Sequence, residues 1–223
     1  MPDNFVTAQT RRPQPKSYTG LDLGQRHDHS ALATLHLIWI ARAGGGRANL
    51  YQPELTIGSL VRFPLGTDYD DLHRLVSHRL AQHRHRQELV IDAGGPGPPM
   101  IDRFRNTLSA NIAIRPVIIT GGKGESALPG GYMGISRRSL IATLMLAIAA
   151  QSLTCDEDMP HWEIFEEELI ELRGDTTHPG DSNGHDDLVM AVALALSAAV
   201  RDAPQLLPET ENKSRRNPLP PPQ

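Results

Sequence analysis

Cysteine is nearly absent: Cys155 is the only one among 223 residues. A lone thiol excludes an internal disulfide framework and a cysteine zinc site, and it fits a reducing, cytoplasmic setting. Long apolar runs are missing too. The two longest, at residues 140–150 and 188–200, fall short of the roughly 20 residues that span a bilayer, so no membrane partner is expected. The N-terminal MPDNFVTAQTRRPQPK has basic residues but no apolar core behind them, which excludes a secretory signal. Nor is there an excess of positive charge. Lys and Arg number 22 against 26 Asp and Glu, and the net charge of -4 supplies no global attraction to nucleic acid. An enzyme that concentrates acids at a metal site can still be acidic overall and hold phosphates through a local basic strip. Internal repeats are absent. No G-x-x-x-x-G-K-[ST] nucleotide loop occurs; "GGKGES" has the wrong spacing, and its Lys123 follows a strand without opening a clear helix.

What is present reads as one folded domain between two tails. The hydrophobic fraction of 39% is that of a soluble globular protein, and the length suffices for one full core. Residues 1–16 and 204–223 are rich in Pro and charge and lack hydrophobic periodicity, so they read as a flexible N-terminal tail and a disordered Pro-rich tail around a domain at 17–203. In that domain SYTGLDL (17–23) reads as a strand and ALATLHLIWIA (31–41) as a long strand buried on both faces. A glycine turn, ARAGGGRANL, leads into a third strand, YQPELTIGSLVRF.

Helix and strand then alternate. Asp68 caps a helix running to about Arg84, with Leu72, Leu75, Val76 and Leu80 on one face. ELVIDA (88–93) is a buried strand, GGPGPP a turn whose prolines suit the start of the helix MIDRFRNTL, and IRPVIIT (114–120) another strand. GGKGESALPGGYMG (121–134) is a glycine-rich loop. Helices follow at about 136–151, 160–173 and 186–200. Antiparallel strands first, then helix and strand in alternation, imply an α/β fold with a mixed central sheet flanked by helices.

Acids stand where buried elements end or begin. Asp22 sits between Leu21 and Leu23 on the first strand, a position from which Asp is depleted. Asp92 ends the apolar run Leu89-Val90-Ile91; it is either a turn former before Gly94 or a ligand. Asp186 and Asp187 open the apolar final helix in "HDDLVMAVALAL". One acid there is explained as an N-cap. The other points about 100° away around the helix and needs another partner. A shared cation explains all of them: hard ions such as Mg²⁺ or Mn²⁺ take carboxylate oxygens, and two ions about 4 Å apart can hold the attacking and leaving oxygens of a phosphodiester.

"GLDLGQRHDHSAL", "ELVIDAGGPGPPMID" and "GHDDLVMAVALAL", in that order and at those separations, resemble the nuclease domain of phage terminase large subunits, a ribonuclease H-like fold related to Holliday-junction resolvases. "ISRRSLIATL" is similar to that family's basic segment opening a helix, and "FEEELIEL" to its acidic helix before the final motif. The resemblance covers about residues 17–200. It implies a metal-dependent endonuclease acting on double-stranded DNA, with two Mg²⁺ or Mn²⁺ ions and phage DNA packaging as its setting. Asp22 would bridge both metals, Asp92 would bind one, and Asp187 matches the acid of the last helix, with Asp186 an additional acid. Arg137 stands where the family more often has Lys; it and Arg138 would meet DNA phosphates, as would Lys123. His185 and Asp28 are accessory candidates. The family's ATPase motor is not in this sequence, so the resemblance implies either a motor-less nuclease or an excised C-terminal domain, which would not package DNA alone. A separate packaging ATPase, small terminase subunit or portal protein would be its partner, and a bacterial host cytoplasm its location.

Other readings remain open. "LDLG" and "IDAGGPG" can be read as the two phosphate loops of an actin-like or sugar-kinase-type nucleotide-binding domain, although those proteins are usually far longer. A non-catalytic relative that binds DNA or a phage protein is a third. His27 and His29 flank Asp28 in a turn and are expected to be solvated. His78, His83 and His85, with Arg79, Arg84 and Arg86, form a candidate strip for the DNA backbone.

Overall fold

Alternate residues of a strand face opposite sides of its sheet, and here both sides are covered. The computed structural model describes residues 12–24, 28–42, 50–83, 85–95, 97–122, 124–174 and 186–208. The strands β1 (Lys16–Asp22), β2 (Ala31–Arg42) and β3 (Leu50–Arg62) form an antiparallel meander. Then come α1 (Tyr69–Ala81), β4 (Arg86–Asp92), α2 (Gly97–Thr107) and β5 (Ile112–Thr120). A hairpin of β6 (Glu125–Leu128) and β7 (Tyr132–Ser136) leads to α3 (Arg137–Ala149), β8 (Leu153–Thr154), α4 (Trp162–Gly174) and α5 (Asp187–Asp202). The eight strands lie in one sheet in the order β6-β7-β5-β4-β1-β2-β3-β8. β4 is parallel to β1, and β5 and β7 follow in parallel, so these strands end at the same edge. This is the expected α/β architecture of a mixed central sheet flanked by helices. Among the described residues no helix is long and apolar enough to cross a membrane.

One face carries Tyr18, Ala31, Ala33, Val90 and Val117 against α3, α4 and α5. The other carries Leu21, Leu32, Leu89 and Ile91 against Leu72, Val76 and Leu80 of α1 and Met100, Ile101 and Phe104 of α2. Every residue of α5 from Leu188 to Leu196 is buried, as expected of a helix that is apolar all round. Its closest approach to the sheet is at Gly20. A methyl group there would lie 1.9 Å from the Ala191 carbonyl oxygen and 2.9 Å from the Ala195 nitrogen. Gly20 on the strand and two alanines one turn apart on the helix let the backbones meet.

The far end of α5 is held by charge. Glu88, 2% exposed, accepts from Lys16 Nζ at 2.6 Å, from Arg201 at 3.0 Å and from Arg115 Nε. Asp202 accepts from Lys16 at 2.7 Å and from the Tyr18 hydroxyl at 2.6 Å. Burial alone would push the Glu88 carboxyl up, but Lys16 and Arg115 together hold it below its usual value. Burial and the neighbouring Asp202 carboxylate push the Tyr18 hydroxyl up, so it stays a donor.

Several expectations need correction. The second strand is enclosed on both faces only over Ala31 to Leu35; beyond it Ile38 and Ile40 are exposed, because β2 and β3 run out past the covering helices. Leu75 is 43% exposed, since α1 turns only a narrow stripe, Leu72-Val76-Leu80, to the sheet; the helix also stops at Ala81, short of Arg84. The glycine-rich stretch at 121–134 contains a strand and the start of another. β6 is exposed and polar, which hides its pattern, and Gly130 and Gly131 turn the chain at φ 73° and 78°. The two-residue β8 is too short to leave a sequence signal. Past residue 203 a 3-10 turn, Pro204–Leu206, buries Leu206 in the core, so the packed chain runs into the Pro-rich tail.

Gly20→Ala should lower stability by roughly 3 kcal/mol, the scale of an overpacked core, read as a fall in the urea midpoint; an unchanged midpoint would show that α5 does not press on β1. Glu88→Gln should cost about 3 kcal/mol near neutral pH. The Glu88 contribution is complete above the unfolded glutamate value of about 4.3 and is lost as pH falls from there through the lower folded value. The wild type should therefore lose part of its advantage over Glu88→Gln below about pH 4, as paired denaturation curves would report; a constant gap would refute the assignment.

Candidate functional site

The close contact at Gly20 dictates what meets at the end of β1. Asp22 lies two residues beyond Gly20 and so on the same face, toward α5. Asp187 lies one turn before Ala191 and so on the helix face that meets β1. On β4, Asp92 follows Val90, which packs against α5, and the Leu21↔Ile91 register puts Asp92 beside Asp22 at the same strand ends. Across β2 the row continues: Asp22 pairs with Ala31, and Ala31 with Arg62. Neighbouring strands are about 4.8 Å apart, and the small Ala31 leaves space for Arg62 Nη2 to reach Asp187 Oδ2 at 3.2 Å.

The electrostatics follow from that convergence. The Asp22 residue keeps a partial solvent face, yet its carboxyl lies deep among protein atoms. Burial first, then Asp92, Asp187, Asp186 and Glu168 in that order, push it well above the usual carboxylate range. Burial also raises Asp92, against hydrogen bonds from the backbone of Gly94 and Ile119; the Gly94 bond is 2.9 Å. Asp92 is thus a turn former and a member of the acid group at once. Burial raises Asp186, while Arg137, which pairs with it directly, pulls it down.

The entrance to α5 is not capped by Asp186. Asp186 occupies the N-cap position but its side chain makes no capping bond; it is drawn to Arg137 instead. The expected capping role is therefore not filled by Asp186. The cap comes from another helix: Glu168 Oε2 of α4 accepts from the Val189 backbone N–H at 2.9 Å. Glu168 is 4% exposed and its Oε1 is buried without a hydrogen-bond partner. Burial pushes its carboxyl up to about 7, with Asp187 and Asp186 adding to the rise and the Val189 bond and Arg62 opposing it. Neither Glu168 nor Arg62 was a candidate from sequence. Glu168 did leave a signal: it stands three residues after Phe165 on the buried stripe of α4, where an acid is out of place.

All five carboxylates are oxygen donors of the kind hard divalent cations take, and their charge is only partly offset by Arg62 and Arg137. The donor chemistry therefore fits a divalent cation. Among the described residues, no three His, Cys, Asp or Glu side chains close around one ion as they stand. Asp186 and Asp187 are each engaged by an arginine, and Asp92 by backbone N–H groups.

No protein-family model matches the chain, and no curated protein matches it in sequence. Solved structures do match in shape. The nuclease domain of the large terminase subunit gp2 of bacterial virus Sf6 superposes at TM-score 0.50 with 11% identity, over 83% of this chain and 88% of that one. A mutant of the same domain, with manganese and beta-thujaplicinol, superposes equally well. The chain has the fold of a large-terminase nuclease domain.

On this terminase-nuclease fold the remaining candidates are dispersed. Asp28 is exposed and does not belong to the acid group acting on Asp22; with Gly24, Thr67, Asp68 and Tyr69 it lines a neighbouring cleft of about 210 Å³. Arg138 is exposed on the first turn of α3, beside Arg137. Lys123 and His185 lie outside the described residues, as do His27 and Arg84. His29 is only partly solvated: its Nδ1 donates to the Phe63 carbonyl at 2.8 Å. The basic strip is at the wrong end for the acids. His78 and Arg79 are in the last turn of α1 and Arg86 opens β4, opposite the strand ends that carry Asp22 and Asp92. Arg62→Met, which removes the guanidinium from Asp187, should destabilise the cation-free protein by roughly 3 kcal/mol; urea unfolding in EDTA with no change in midpoint would show that this pair carries no stability.

Proposed function

We propose that this protein is a divalent-metal-dependent endonuclease of double-stranded DNA, working in the manner of the terminase large-subunit nuclease on phage DNA. The observation that carries the reading is the convergence of Asp22, Asp92 and Asp187 at one sheet edge. Acids on two parallel strand ends and a helix entrance have no common structural task there, since the helix is capped by Glu168. The fold shared with the Sf6 domain, one structure of which holds manganese, supports the same assignment.

In this reading Asp22, between the other two, is the central ligand. Asp92 and Asp187 complete the donor set for Mg²⁺ or Mn²⁺, and Asp186 is an additional acid. Asp187 is favoured over Asp186 because it lies on the α5 face that meets β1, whereas Asp186 turns to Arg137. Divalent cations bound there would supply Lewis-acid stabilisation to the attacking and leaving oxygens of the phosphodiester. The chain's own part is to hold the carboxylates on rigid elements and to present Arg137 and Arg138 to backbone phosphates. Arg137 offers a planar fork, suited to bidentate contact with a phosphate. A packaging ATPase, small terminase subunit or portal protein is the partner class that would bring DNA to it.

The nucleotide-binding alternative needs free backbone amides at its glycine turns. Gly94 already donates to Asp92, and Gly24 donates to Ser30 Oγ at 3.1 Å. Carboxylates line this edge where a phosphate would need donors, which favours a cation over a phosphate loop.

Asp22→Asn and Asp187→Asn should each abolish nicking of supercoiled plasmid in Mn²⁺ while keeping the native circular dichroism spectrum. Undiminished cleavage by either folded variant would sink the assignment.

A further inference from the structure

Glu168 does more than its capping bond requires. An N-cap needs one acceptor oxygen and is ordinarily supplied by a short side chain next to the helix. Here a long acid reaches across from α4, with Oε2 on Val189 N–H and Oε1 buried without a partner. A carboxylate oxygen enclosed without a donor is costly, and the capping bond uses only the other oxygen. Val189 is two residues along α5 from Asp187, so the carboxyl stands against the helix entrance that bears the acids. It is close enough to act on Asp22, Asp186 and Asp187. Arg62 does not satisfy it: its Nη2 is on Asp187, and its Nε is itself buried without a partner.

We propose that Glu168 is a further ligand of the cation site, one oxygen capping α5 while the other, Oε1, binds the divalent ion. The inference rests on the metal-dependent reading above and extends it to a residue outside the three converging aspartates. It also links the two tasks. The same side chain that fixes the direction of the α5 entrance would sense whether a cation is present between α4, α5 and β1. An ordered water joining Arg62 Nε to Glu168 Oε1 is the competing account, and it would make the residue purely structural.

The test is Mn²⁺ binding to the full chain without DNA, measured by electron paramagnetic resonance of free Mn²⁺ and by calorimetry, on wild type, Glu168→Gln, Glu168→Ala and Asp22→Asn. Glu168→Gln keeps an acceptor for Val189 N–H. It should melt in EDTA within a few degrees of wild type yet bind Mn²⁺ at least tenfold more weakly. Glu168→Ala should lose melting temperature and Mn²⁺ affinity together. Wild-type Mn²⁺ affinity in Glu168→Gln, with affinity lost in Asp22→Asn, would overturn this proposal and leave the metal-dependent reading standing. Failure of the wild type to bind Mn²⁺ would overturn both. A Glu168→Gln melting temperature as low as that of Glu168→Ala would show that the fold needs the negative charge, and would also count against a ligand role.

Discussion

The tight contact between α5 and β1 is the constraint on which the rest depends. Glycine on the strand and alanines on the helix bring two backbones to a separation that no larger side chain permits. Once that contact is made, period-two alternation on the strand and the one-turn repeat on the helix leave little freedom. Asp22 must face the helix, Asp187 must face the strand, and both must come to the same end of the sheet. The acids meet because small residues elsewhere let their elements meet.

Electrostatics divide α5 into two unlike ends. At its C-terminus Arg201 and Asp202 join Lys16, Glu88, Arg115 and Tyr18 in a network where every buried charge has an opposite partner. At its N-terminus five acids face two arginines, and the balance is negative. A helix N-terminus favours anions through its dipole, but that does not offset several carboxylates pushed into a partly dry setting. The balanced end holds the helix in place, and the unbalanced end stores the unfavourable charge that a cation would relieve. Balanced and unbalanced charge thus occupy opposite ends of one helix, about 24 Å long at 1.5 Å per residue.

Much of this was legible from residue patterns. The apolar runs marked β1, β4, β5 and α5, and the acids at their ends stood out because Asp is costly there. The resemblance to terminase nucleases rested on the order of three short motifs, and the fold agrees with it. What escaped was what pattern cannot carry. The β6–β7 hairpin begins with an exposed polar strand at the sheet edge, which has neither alternation nor a buried run. The outer half of β2 is apolar in sequence yet uncovered in space, because coverage depends on where the helices stop. The basic cluster around His78 and Arg79, a candidate strip for the DNA backbone, lies at the opposite sheet end from the acids because of the direction of α1.

The sequence by itself determined which elements form and which acids are out of place, since propensity and hydrophobic periodicity act over a few residues. Only the tertiary structure decided the partners of those acids. Asp186 and Asp187 look equivalent in the chain, but α3 brings Arg137 to one and β3 brings Arg62 to the other. The cap of α5 comes from Glu168, some twenty residues upstream on another helix. Hydrogen bonds and ion pairs between elements depend on distance in space, and that distance is set by how closely a glycine and two alanines allow a helix to approach a sheet.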